Sequence, residues 1–120
     1  MMITLTDIRY SGPGRPVDGY GPGFFRIDGQ VLEGAVIVAP DGARVWAGWT
    51  DRAALLALAG RVDVLLLGMG RVIAHPDPAL RAELDALGVG VEAMDSPAAA
   101  RTYNVLLSEG RRIAAALIPV

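Results

Sequence analysis

A chain of 120 residues has room for one core, so the reading is a single domain over residues 1–120. Hydrophobic residues make up 52% and charged residues 20%, below the usual quarter, which points to more than one buried face or to a partner surface. The net charge of −2 with no clustered basic stripe argues against nucleic acid, and the lack of cysteine excludes disulfides, thiolate catalysis and Cys-based metal sites.

No apolar run approaches the roughly 20 residues that span a bilayer. The N-terminus, Met1-Met2-Ile3-Thr4-Leu5-Thr6-Asp7, has neither the charged nor the long apolar region of a secretory signal, so a cytoplasmic protein is expected. Every cation is arginine. Coding bias is the reading for this, with selection for anions the lesser alternative.

Ser11-Gly12-Pro13-Gly14-Arg15-Pro16 and Gly19-Tyr20-Gly21-Pro22-Gly23 read as a loop around a short extended segment, because glycine and proline at this density break both helix and strand. Asp28-Gly29 and Asp41-Gly42 are hairpin signals between apolar runs. They predict a three-stranded antiparallel meander over 24–49, with a middle strand covered on both faces. Asp51 or Thr50 then caps a first helix bearing Leu55, Leu56 and Leu58 and ending at Gly60.

Residues 62–67 form a near-continuous apolar run, as in a central buried strand. Pro76-Asp77-Pro78 opens a second helix whose apolar face is Leu80, Leu84 and Leu87, ended by Gly88. Residues 89–94 are a further strand. Ser96 caps a third helix with Pro97 at its first position, and Ala99, Tyr103 and Leu106 share one face of it. Residues 113–118 are the last strand, its orientation left open. Strands alternating with helices predict an α/β fold, with crossover units and a largely parallel sheet in the second half.

Candidate chemistry concentrates where those strands end. Gly68, Gly70 and Arg71 follow the most apolar strand, at the carboxyl end where open α/β sheets bind ligands. The two glycines permit close backbone approach, and Arg71 offers a fork of donors to an anion. Position 73 is Ile73, so this is not the G-x-G-x-x-G dinucleotide fingerprint, and a P-loop ending is lacking. A tight strand-exit turn explains the same residues. Asp95-Ser96-Pro97 opens a helix whose N–H groups favour anions, although Asp95 would oppose one and an ordinary capped start suffices. If the strands pair, both turns face one crevice.

Arg101, Asn104 and Ser108 are spaced to form one polar stripe on the third helix, either a recognition face or a solvated one. His75 is the only histidine and stands alone, Trp46 is assigned to the core, and Trp49 is read as core packing or, alternatively, as a partly exposed contact. The carboxylates are scattered. No catalytic residue, metal site or cofactor is called for.

Gly19-Tyr20-Gly21-Pro22-Gly23-Phe24, then Leu66-Leu67-Gly68-Met69-Gly70, and above all Thr102-Tyr103-Asn104 with Glu109-Gly110-Arg111, form a pattern over residues 7–119. It resembles the small-domain family of uncharacterised prokaryotic proteins that includes the mitochondrial respiratory complex I assembly factor 3. The resemblance implies a three-layer domain: a central mixed sheet, an N-terminal antiparallel β meander and three helices. It supplies no catalytic residues. Met69 departs from the small or hydroxyl residue often found between the two glycines, which weakens a side-chain role there.

For function the resemblance implies a non-enzymatic interaction protein, an assembly factor with a protein partner in a membrane-associated complex. The contact surface expected is Arg71, Arg101, Asn104 and segment 19–23. The alternative is an anion-binding protein or enzyme that uses a crevice at Gly68, Gly70, Arg71 and Ser96. Oligomeric state is not legible.

Overall fold

The computed structural model describes residues 2–4, 14–71 and 74–120. Ser11-Gly12-Pro13 of the loop reading lie outside them. The elements run β1 (Ile3–Thr4), β2 (Val17–Gly21), β3 (Phe24–Ile27), β4 (Gln30–Glu33), β5 (Val36–Ala39), β6 (Gly42–Val45), α1 (Arg52–Leu56), β7 (Val64–Gly68), α2 (Pro78–Ala86), β8 (Gly90–Met94), α3 (Ser96–Ser108) and β9 (Ile113–Leu117).

Two sheets form. One is antiparallel, in the order β1-β2-β3-β4; the other is mixed, in the order β6-β5-β9-β7-β8. The central strand β7 pairs parallel with both β8 and β9, Leu66 lying opposite Glu92 and Ala115. β5 pairs antiparallel with β9.

The meander predicted over 24–49 is therefore divided. β3 and β4 belong to the first sheet, while β5 and β6 join the second. The break is at Gly34, whose φ of 87° turns the chain out of the hairpin. The physical reason lies in β5: all four of its residues are buried. A strand apolar on both faces needs cover on both, and the central sheet provides it. The first sheet gains β2 instead. Residues read as a glycine-rich loop form a strand there, joined to β3 by the Pro22-Gly23 turn.

Alternation along the central strands separates two cores. Val36, Val38, Leu66, Ile113, Ala115 and Leu117 face α3 and the meander, meeting Ala99, Tyr103, Val17 and Phe25. Ile37, Leu65, Leu67, Ala114 and Ala116 face the other way, onto Leu55 of α1, Leu80 and Leu84 of α2, and Trp46. The result is three layers, with α3 and the meander sharing one. The three alanines of β9 are fully buried. Their small side chains let packed layers approach the middle of the sheet closely from either side.

The helix starts differ in detail from expectation. Asp51 accepts from Ala54 N at 3.2 Å and caps α1, which stops at Leu56. On α2, Leu87 is 52% exposed, so the apolar face is Leu80 and Leu84 alone. α3 is capped by Asp95, which accepts from Ala98 N at 2.8 Å, and not by Ser96. On its inner face Leu106 packs half-buried against the core as expected, and Leu107 beside it is buried. Asp41 pairs with Arg61, tying the β5–β6 turn to the approach to β7; hydrogen bonding to that guanidinium holds the Asp41 carboxyl below its usual range.

Candidate functional site

Three strand ends meet at one rim. Met69 N donates to Met94 O at 2.8 Å, joining the exits of β7 and β8. Ile118 N donates to Gly68 O at 2.9 Å, joining β9 to β7. Ser96, the first residue of α3, sits at the junction. Its N–H donates to Gly70 O at 2.7 Å. Its hydroxyl accepts from Gly70 N at 2.8 Å and donates to Ile118 O at 2.6 Å. Moving the cap to Asp95 leaves this hydroxyl available for the junction.

The glycine pair and Ser96 are therefore packed against each other and do not line an open crevice. Ser96 is fully buried. A Cβ at Gly68 would lie 2.8 Å from Leu117 Cδ2, 2.9 Å from Ser96 Oγ and 3.0 Å from Ser96 Cα. Gly70 is buried with φ of 98°, a conformation that favours glycine. The close approach of Ser96 and Leu117 demands glycine at position 68, and the positive φ favours it at position 70.

Asn104 also faces inward. It is 6% exposed and does not sit on an outer polar stripe. Its Oδ1 accepts from Val17 N and its Nδ2 donates to Val17 O, both at 2.8 Å. The amide thus completes the backbone of β2 as a neighbouring strand would. Tyr103 beside it is fully buried, with its hydroxyl donating to Arg15 O at 2.9 Å. Together they fasten α3 to the start of the meander. Among the described residues every buried side-chain nitrogen and oxygen has a partner.

Arg71 and Arg101, with Pro22 and Gly23 of the nominated segment 19–23, reach solvent. Arg71 lines a cleft of about 400 Å³ with Ile3, Tyr20, Gly21, Pro22, Pro97 and Val120. Tyr20, Gly21 and Pro22 come from the glycine-rich segment nominated for contact. Pro97 belongs to the helix start already singled out, whereas Ile3 and Val120 carried no signal of their own, because a wall made of distant segments appears only when the sheets assemble. Pro97, Arg101 and Val105 follow at four-residue spacing on one side of α3, and Val105 is 44% exposed. The cleft thus continues onto an outward stripe of that helix.

A smaller hollow of about 170 Å³ lies against Met69 of the same β7 exit, lined also by Trp49, Arg52, His75, Pro76, Asp77 and Leu80. Trp49 is half-exposed and packs edge-on against buried Trp46 at 4.9 Å. Arg52 is engaged with Asp77 at 3.7 Å and Glu83 at 3.4 Å. Among the described residues no cluster of His, Asp or Glu could hold a metal ion. Nor is any helix there long and apolar enough to cross a membrane.

The two-sheet arrangement with α3 clamped at the rim is that of an Mth938-like domain. A solution structure of a Bordetella pertussis protein so described shares it with TM-score 0.77 at 31% identity, covering 98% of this chain and 92% of that one. A crystal structure of a Bartonella henselae protein, described as an outer membrane protein, has TM-score 0.82 at 31% identity, covering 93% and 99%.

The chain belongs to the family described as Protein of unknown function (DUF498/DUF598), whose pattern matches residues 17–118. An uncharacterized Rhodobacter capsulatus protein is 58% identical over 105 residues, 88% of this chain and 85% of its own length. The family includes NADH dehydrogenase [ubiquinone] 1 alpha subcomplex assembly factor 3; the Danio rerio protein is 32% identical over 113 residues, 88% of this chain. The chain spans 65% of that factor's length.

Proposed function

We propose that this chain is a non-enzymatic interaction protein, a scaffold that helps assemble a membrane-associated complex by binding a protein partner. The observation that carries this reading is the 32% identity to the Danio rerio assembly factor across most of the chain. The disposition of polar groups supports it. Ser96 and Asn104 are spent on backbone, and the outward surface from the Arg71 cleft along Pro97, Arg101 and Val105 mixes cations with apolar contacts. Interface cores favour arginine and apolar groups in this way. Asn104 drops out of the contact surface and Val105 takes its place.

The test is co-isolation of the tagged chain from membranes of its own cell, with quantitative identification of the captured subunits. Wild type is expected to retain a fixed set of subunits of one membrane complex. Arg101→Glu with Val105→Asp, both at exposed positions, is expected to deplete that set at least fivefold with folding unchanged. Equal capture by the variant rules this surface out. Capture of no membrane-complex subunit by wild type rules the function out.

A further inference from the structure

We infer that the Arg71 cleft is a binding site for a small apolar monocarboxylate, a ligand with one anionic head and a hydrocarbon body. Its walls are Ile3, Tyr20, Pro22, Pro97 and Val120, and among the described residues no Asp or Glu side chain lines it. Arg71 is the one charged side chain in the lining, and it is exposed, with no ion-pair or hydrogen-bond partner among the described residues.

The charge pattern sets the head group. A planar guanidinium presents two parallel N–H donors that match a carboxylate, and such charge-assisted pairs are stronger than neutral ones. A single guanidinium pairs with one carboxylate. A phosphate dianion or a nucleotide would leave charge uncompensated and would place polar oxygens against proline and valine.

The walls and the volume set the body. About 400 Å³ falls at the small end of ligand sites. At about 30 Å³ per water-sized group it holds roughly a dozen non-hydrogen atoms. That is the size of a medium-chain acid such as octanoate. The chain's net charge of −2 supplies no long-range attraction for anions, so recognition depends on Arg71 at the mouth. The cleft shares Arg71 and Pro97 with the surface proposed for a partner, but a small acid needs no partner protein to occupy it, so the two readings are tested separately.

The probe is sodium octanoate, titrated into the full ¹⁵N-labelled chain and followed by amide chemical shifts. Saturable shifts are expected at Gly21, Arg71 and Ala98, lining the cleft or next to its walls. Arg71→Gln is expected to weaken octanoate at least fivefold while leaving the rest of the spectrum in place, because Arg71 makes no hydrogen bond or ion pair among the described residues. Octanol at equal concentration is expected to bind at least fivefold more weakly than octanoate, and inorganic phosphate to shift none of these amides.

Octanoate shifts confined to other surfaces would overturn the assignment, as would an affinity unchanged in Arg71→Gln or equal to that of octanol. Tighter binding of an apolar peptide with a free C-terminal carboxylate, and loss of that binding in the C-terminal amide, would overturn it in favour of a partner chain's terminus.

Discussion

Asn104→Ala is expected to cost about 2–4 kcal/mol of folding stability, since it strands two buried backbone groups at about 1–3 kcal/mol each. Both partners belong to Val17, which is 1% exposed, and no water-facing route replaces them. For a domain of this size the loss lowers the melting temperature by roughly 10 °C. Thermal and denaturant unfolding read it directly. Asn104→Asp separates the two bonds: a carboxylate still accepts from Val17 N but repels Val17 O. That variant is expected to be less stable than wild type at neutral pH and to recover part of the difference as the carboxyl is protonated on acidification. A recovery on raising the pH instead would contradict the assigned direction of the two hydrogen bonds.

Ser96→Ala is expected to cost about 1–3 kcal/mol, because it leaves Gly70 N–H and Ile118 C=O unpaired at the rim. Gly68→Ala strikes the same junction from the opposite side. Its new methyl would meet Ser96 Cα at 3.0 Å, and backbone cannot swing away as a side-chain end can, so overpacking costs about 1–3 kcal/mol. The two changes share one contact and are expected to be non-additive. A double variant no worse than the poorer single one fits a shared junction. Strict additivity would mean that Ser96 and Gly68 act separately.

Much of the architecture was legible because local signals agreed with the fold. The apolar run at 62–67 is the central strand, Asp77-Pro78 opens α2, and Gly60, Gly88 and Gly110 sit in left-handed turns close after the helices. What failed was whatever depended on a partner distant in sequence. Asp28-Gly29 and Asp41-Gly42 did mark two hairpins, yet nothing local says that β5 prefers β9, some 75 residues away, to β4. The glycines of 19–23 hid a strand because β2 is specified by its pairing with β3 and by Asn104, not by its own propensity.

The candidate site followed the same division. Gly68, Gly70 and Ser96 meet at one junction, but a glycine that avoids a steric clash and one that admits a ligand read alike in sequence. Asn104 occupied a polar position in a periodic pattern, and only the arrival of β2 makes that position interior. Arg71 was the nomination whose side chain opens into a cleft.

The central claim is that Ser96 and Asn104 serve the backbone and that contact with other molecules falls to Arg71 and its surroundings. Hydrogen exchange of the Gly70 and Val17 amides in the wild-type chain tests it most directly, because each donates to one of those two side chains. Protection approaching that of the β9 amides is the expected result. Exchange of both amides at the rate of an open loop would show that the serine and the asparagine are not holding them, and would return both side chains to the list of surface contacts.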